Sequence, residues 1–410
     1  MGYFKQTAKG VSWVGGFRIF TRIISFLRTI ILARILSPAQ FGIYSISTLI
    51  LAFLEILTET GINVFLIQES NSDKYINTAF IVSILRGMII SLIILVTSGL
   101  VTQFFNAPDV LPLLILVSVV PLIRGLINPS SAKFQKELNF GKDFLVRTVV
   151  FVVDSIISVI VTVVLASPIG IIWGLIAGSI SEVILTWLIA NPKPKFEFDS
   201  KKFTKVIARG KWVTLSGLFD YLSGNIDDTL VGKLLDTTSL GIYQMAYRLS
   251  TLPLTEVTQV FSKVTFPIYM KIANDKNRLK RAYQRTFLVI FALSVPLSVG
   301  LFVSSDFLIP WILGEKWIAV IPVLKVLCIF GALRSLTGTT FTIYLSQRKQ
   351  SYIASLLFVE FIALSFLLLP FIKLFGLIGA GYATIIAVIL PIPLNLFYLN
   401  LTFRKSKSSE

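Results

Sequence analysis

The chain has 410 residues, of which 55% are hydrophobic and only 14% charged, and its mean hydropathy is +0.82. A soluble core cannot bury that much apolar surface, so lipid must solvate part of it and a soluble enzyme is excluded. The absence of His excludes a His-based metal site or general base, and the net charge of +17 lies mainly in short connections between apolar runs, where it signals topology rather than a nucleic-acid surface.

Segments long enough to cross a bilayer, at about 1.5 Å per residue, recur along the chain. They fall at 11–34, 40–67, 76–104, 110–129, 144–166, 169–191, 204–234, 239–270, 283–305, 317–346, 351–372 and 374–400, twelve helices in all. The basic start is followed by Arg18, Arg22 and Arg28, which a signal-peptide core would not tolerate, so the first segment is expected to stay in the mature protein. The first and seventh segments are the least hydrophobic. Pro112, Pro121, Pro253, Pro296 and Pro322 lie inside spans and are expected to bend them. The single cysteine, Cys328, sits in an apolar run and reads as buried and inert.

The connections set the orientation. With the N-terminus inside, the inner segments hold Lys133, Lys136 and Lys142, then Lys193, Lys195, Lys201 and Lys202, then Lys271, Lys276, Arg278, Lys280 and Arg281, and finally Arg404, Lys405 and Lys407. The outer loops hold few basic residues, and some are as short as Ala166-Ser167-Pro168. This bias predicts a multi-pass protein of the cytoplasmic (inner) membrane with both termini cytoplasmic. The short outer loops also argue against a membrane glycan polymerase or glycosyltransferase.

The halves repeat. A constant offset puts Trp13-Val14 on Trp212-Val213 and Gly42-Ile43-Tyr44 on Gly241-Ile242-Tyr243, and a slightly larger one puts Pro112 on Pro322 and Arg124 on Arg334. The polar, Lys-bearing stretch 191–211 reads as the linker. Six crossings return the chain to the same side, so the repeat is parallel. The expected fold is all-α: two six-helix bundles, 1–200 and 201–410, around a central cavity.

Charges inside spans are costly and usually face a partner or a cavity. Arg18 and Arg22 share a face of the first helix, with Arg28 nearby. Glu55 and Glu59 share a face of the second. The seventh carries Asp220, Asp227 and Asp228, and the eighth Arg248, Glu256 and Lys263. Guanidinium groups suit phosphate, so Arg18, Arg22, Arg28, Arg248 and Lys263 are candidate substrate contacts. Glu55, Glu59, Asp220, Asp227, Asp228 and Glu256 are candidates for lining the cavity, ion pairing or coupling. Pairing between helices is an equal alternative for the whole set; Arg28 and Asp227, at equivalent repeat positions, are one such pair. Arg86, Arg124, Asp154, Glu182, Lys325, Arg334 and Glu360 also lie at membrane depth, and Asp154, Glu182 and Glu360 are carboxylates able to couple transport to H+ or Na+.

The run Asn225-Ile-Asp-Asp228, Gly232-Lys-Leu-Leu, Leu240-Gly-Ile-Tyr243 and Arg248-Leu-Ser-Thr-Leu-Pro253 resembles the polysaccharide transporter family, the Wzx-like exporters. Leu36-Ser-Pro-Ala-Gln-Phe-Gly-Ile-Tyr44, Phe134-Gln-Lys-Glu-Leu-Asn-Phe140 and Gly314-Glu-Lys-Trp317 extend the resemblance over nearly the whole chain. It implies the multidrug/oligosaccharidyl-lipid/polysaccharide fold and a flippase that moves a polyprenyl-pyrophosphate-linked oligosaccharide outward by alternating access. Lipopolysaccharide and exopolysaccharide assembly are the settings it suggests. The implied partners are the lipid-linked oligosaccharide, membrane lipids, the polysaccharide polymerase machinery and a coupling H+ or Na+; no nucleic acid, cofactor or metal is implied. The related lipid II flippases use arginines of the first helix, to which Arg18, Arg22 and Arg28 correspond by position. Many relatives carry two further C-terminal helices, whereas this chain reads as ending soon after its twelfth. A multidrug or cation antiporter of the same fold is the alternative function, favoured by the acidic seventh helix.

Overall fold

The computed structural model describes residues 21–404 apart from 59, 60, 70 and 138, and every regular element among them is helical. Residues 21–35 form α1. The next helix, α2 (Pro38–Leu57), starts on a complete cap. Gln40 N–H donates to Ser37 Oγ at 3.3 Å and Ser37 N–H donates to Gln40 Oε1 at 2.9 Å, with Pro38 in the first turn, where its missing N–H costs nothing. The expected single crossing over 40–67 is broken. α2 ends at Leu57, Gly61 takes a left-handed φ of 61°, and the short α3 (Ile62–Gln68) follows. Next, α4 (Ile76–Phe105) is continuous, but the 110–129 segment divides into α5 (Leu111–Val117) and α6 (Val119–Gly125). Pro121 has no N–H to donate to the Val117 carbonyl, so the helical ladder lapses there.

After α7 (Ala132–Lys136), α8 (Phe140–Leu165) and α9 (Ile169–Ile189) form a close hairpin. A Cβ on Gly174 would lie 1.8 Å from Ser158 Oγ and 2.6 Å from the Asp154 carbonyl oxygen. Glycines at 170, 174 and 178, one turn apart, thus let the two backbones meet, the small-residue packing expected where lipid supplies no hydrophobic drive.

Two long helices follow, α10 (Ser200–Leu234) and α11 (Thr237–Lys271). Asp236 caps α11, accepting from Ser239 N–H at 2.6 Å. α12 (Lys276–Ile312) is capped by Asp275, which accepts from the N–H groups of Asn277 and Arg278 at 3.1 and 3.0 Å. Pro253 lies inside α11 and Pro296 inside α12, yet both helices continue through them. α13 (Val320–Ser346), α14 (Gln350–Ile389) and α15 (Ile392–Phe403) are the last helices of the described residues. α14 bends at Gly376, whose φ of 59° and ψ of −139° suit glycine alone, close to the expected boundary between the last two crossings.

The chain forms two compact units, Met1–Asn225 and Ile226–Glu410, with the division inside α10. In the first, Ile62, Phe65, Leu66, Ala79, Val82 and Ala132 form a buried cluster. In the second, Tyr269, Leu279, Tyr283, Ile343, Tyr344, Leu356 and Leu399 do so. Tyr344 Oη donates to Asn395 Oδ1 at 2.6 Å, and Tyr352 stacks on Tyr398 at 4.1 Å.

Among the described residues, eight segments are long and apolar enough to cross a membrane: Pro38–Leu57, Ser72–Phe104, Pro108–Gly125, Gly141–Leu165, Ile169–Ile189, Lys276–Ile312, Val320–Ser346 and Gln350–Phe403. The last has 54 residues, enough for two crossings. Outward side chains such as Val96, Leu100, Val164, Leu188, Val303 and Phe366 are exposed and apolar, a surface only lipid can solvate. The chain is a multi-pass membrane protein.

Candidate functional site

A lone guanidinium in the hydrocarbon costs several kcal/mol, so the partner of each arginine is informative. On α1, Arg28 Nη1 meets Asp154 Oδ2 of α8 at 2.6 Å, with the two side chains 14% and 15% exposed. Ser158 Oγ donates to the other carboxylate oxygen of Asp154 at 3.2 Å. From sequence, Arg28 was a candidate substrate contact, with pairing to Asp227 as the alternative. The partner found lies inside its own unit, on the face of α8 against which the glycines of α9 pack.

A cavity of about 480 Å³ opens in the first unit where α2, α6 and α9 end and α4 and α8 begin. Six charged side chains line it: Glu55, Arg86, Arg124, Asp143, Arg147 and Glu182. Arg124 Nη1 meets Glu55 Oε1 at 2.6 Å, and its Nε donates to Ser179 Oγ at 3.4 Å. Arg86 donates to the Glu55 carbonyl and to Thr58 Oγ1. That bond ties α4 to the end of α2, where the backbone breaks. Arg147 pairs with Asp143 at 2.9 Å, one turn apart on α8. The carboxylate of Glu182 makes no hydrogen bond or ion pair among the described residues; the charges acting on it are Arg124 and Arg147, which attract, and Glu55, which repels. Three cations and three anions make the lining neutral overall, polar enough to hold water or a polar group.

In the second unit, Tyr243 Oη donates to Asp227 Oδ2 at 2.8 Å and Gln244 Nε2 donates to Asp228 Oδ2 at 3.0 Å, so neighbouring residues of α11 hold neighbouring residues of α10. Asp227 is buried, 5% exposed. Arg334 of α13 pairs with Glu360 of α14. Beside them runs a hydroxyl chain: Ser335 Oγ lies 2.7 Å from Thr258 Oγ1 and 2.8 Å from Ser294 Oγ, joining α11, α12 and α13.

Of the residues singled out from sequence, Arg18 and Glu59 lie outside the described residues, as does the side chain of Asp220. Arg22, Arg248 and Lys263 are exposed and Glu256 is half-buried. Arg28, Glu55, Asp227 and Asp228 have the partners given above. Two of the three carboxylates offered for coupling, Asp154 and Glu360, are ion-paired, which leaves Glu182 facing the cavity. Asp143 and Arg147 were missed as cavity residues. Their signal was an acid and a base four residues apart at the start of an apolar segment, which reads equally as a solvated helix end.

The family model described as polysaccharide biosynthesis protein matches residues 31–322, well over half of the chain. The lipopolysaccharide biosynthesis protein WzxC of Escherichia coli (strain K12) is 25% identical over 338 residues, covering 82% of this chain and 69% of that protein. The teichuronic acid biosynthesis protein TuaB of Bacillus subtilis (strain 168) is 25% identical over 360 residues, covering 84% and 72%. Among solved structures, the lipid II flippase MurJ in an inward closed conformation is similar in fold, with a TM-score of 0.76 at 18% identity over 95% of this chain and 88% of that one. Eight apolar spans, charges paired across them and a match over most of the length converge: this chain is a member of the polysaccharide biosynthesis protein family, a membrane protein with the fold of MurJ.

Proposed function

We infer that the protein is a transporter, not an enzyme, and that it flips a polyprenyl-pyrophosphate-linked oligosaccharide from the cytoplasmic to the outer leaflet by alternating access, for surface polysaccharide biosynthesis. The observation that carries this reading is the family match across an all-helical, multi-pass chain. Twelve crossings in two parallel repeats, 1–200 and 201–410, with both termini cytoplasmic, is the topology that suits it; the lysines of 133–142, 193–202 and 271–280 support that orientation. Reporter fusions in each connection test it.

Arg28 is held by Asp154; the candidate contacts with the pyrophosphate or acidic sugars are Arg22, Arg248 and Lys263, whose side chains are exposed, together with Arg18. Coupling to H+ or Na+ falls to Glu182, the cavity carboxylate without a hydrogen bond among the described residues. A polysaccharide polymerase is the expected downstream partner. The test is a deletion strain. Loss of surface polymer with lipid-linked oligosaccharide retained in the cytoplasmic leaflet, restored by the gene, supports the reading; normal surface polymer refutes it. The rival antiporter reading predicts instead that the deletion raises drug sensitivity and leaves the polymer intact.

A further inference from the structure

The ten residues that follow the α9 span, 190–199, are not helical, yet they are fastened to the first unit. Asn128 Nδ2 donates to the Ala190 carbonyl at 3.2 Å and Ser130 Oγ to the Pro192 carbonyl at 2.6 Å. Lys195 N–H donates to Asn77 Oδ1 at 2.9 Å, and Asn77 Nδ2 donates to Glu197 Oε2 at 2.8 Å. Asn77 opens α4 and Ala190 closes α9, so the strap lies where two spans meet the membrane boundary.

A strap held this firmly has every chance to tuck its apolar side chains inward, and it does not. Phe196 is 79% exposed and Phe198 57%. Phe196 only touches the buried Phe80 edge-on, 5.5 Å between ring centroids, and Phe198 leans on Phe203 at 5.5 Å. In water, two rings held out would be a net cost. At the level of lipid headgroups they are favourable, because an apolar ring there is buried at the boundary between headgroups and acyl chains.

The charges around the rings have one sign to spare. Between residues 190 and 204 lie Lys193, Lys195, Lys201 and Lys202 against Glu197 and Asp199. Glu197 is taken by Asn77. Asp199 Oδ1 accepts from the N–H groups of Lys201 and Lys202 at 2.9 and 3.2 Å, and its Oδ2 pairs with Lys202 Nζ at 3.3 Å. Lys193 Nζ caps the Ala190 carbonyl at 3.0 Å. Lys195 and Lys201 meet no carboxylate among the described residues, and both are exposed.

We propose that this strap is an anionic-lipid site: Phe196 and Phe198 enter the interfacial layer of the bilayer while Lys195 and Lys201 take the phosphate of an anionic phospholipid headgroup. A lysine near a negatively charged leaflet contributes about 1 kcal/mol, about a fivefold preference for anionic over zwitterionic lipid per residue. The site is independent of what the protein carries.

The experiment labels Ser200→Cys with an environment-sensitive dye; Cys328 is buried and stays unlabelled. The full chain is reconstituted in phosphatidylcholine vesicles containing either brominated phosphatidylglycerol or brominated phosphatidylcholine. Brominated phosphatidylglycerol is expected to quench at a severalfold lower mole fraction. Lys195→Gln with Lys201→Gln should bring the two lipids together, and Phe196→Ser with Phe198→Ser should weaken quenching by both. Equal quenching by the two lipids in the otherwise unaltered protein, or a phosphatidylglycerol preference that survives the lysine pair, overturns the proposal.

Discussion

Replacing Arg28 with Ala strands the Asp154 carboxylate in the α8–α9 contact with one side-chain donor left, Ser158 Oγ at 3.2 Å. Breaking a buried ion pair from one side costs about 3–5 kcal/mol, and the residual exposure of 14% and 15% argues for the lower end. Asp154→Ala strands the guanidinium in the same way. The double Ala variant leaves neither charge behind, so it should be hardly less stable than either single variant. The expected coupling is therefore about 3 kcal/mol, against about 0.6 kcal/mol for an ordinary interhelical hydrogen bond in a membrane protein. At about 2–4 °C per kcal/mol, each single variant should melt about 6–12 °C lower. Thermal unfolding in detergent, followed by tryptophan emission in a parent that keeps only Trp173 and Trp187 on α9 and has its other tryptophans replaced by Phe, reads the first unit. Strictly additive single effects, with coupling below about 0.6 kcal/mol, would refute the pair as a buried ion bridge.

Gly174→Val should cost about 1–3 kcal/mol through overpacking, because the Asp154 carbonyl 2.6 Å from the new Cβ belongs to the backbone and cannot rotate away; the same melting experiment checks it. Tyr243→Phe removes the hydroxyl donor of buried Asp227 and should cost about 1.5–3 kcal/mol, with Asp227→Asn milder because an amide oxygen still accepts that bond. Arg22→Ala and Arg248→Ala should each abolish surface polymer while leaving membrane insertion intact; unchanged polymer in both removes them from the substrate path. Glu182→Gln should cut transport while sparing thermal stability, since no hydrogen bond among the described residues depends on the carboxylate; full transport in the variant removes it as the coupling group.

Much of the fold was legible because lipid imposes a simple rule. A segment of about 20 apolar residues must cross, and its backbone must be helical. The starts of α2, α11 and α12 were written locally in Ser37-Pro38, Asp236 and Asp275. The breaks were harder. Thr58-Glu59-Thr60-Gly61 is a polar interruption, but one short enough to be read through as part of a single crossing; apolar residues flank Ser118 on both sides, and only the missing donor of Pro121 hinted at that break. α10 and α11 fall below the apolar standard of the other spans for the reason that makes them candidates for function: they carry Asp227, Asp228, Arg248, Glu256 and Lys263.

The sequence by itself determined that the chain lives in a membrane, that its spans are helical, which residues place charge at membrane depth, and which family it resembles. These are one-dimensional properties, set by the length of each apolar run and the identity of the residues that interrupt it. Which charge meets which was decided by tertiary structure. Arg28 and Asp154 are 126 positions apart, and Arg124 and Glu55 are 69. Their meeting depends on how closely α8 and α9 pack and on where α2 stops. Spacing along one helix can encode a pair such as Asp143 and Arg147, but partners on different helices come within a few ångströms only through packing.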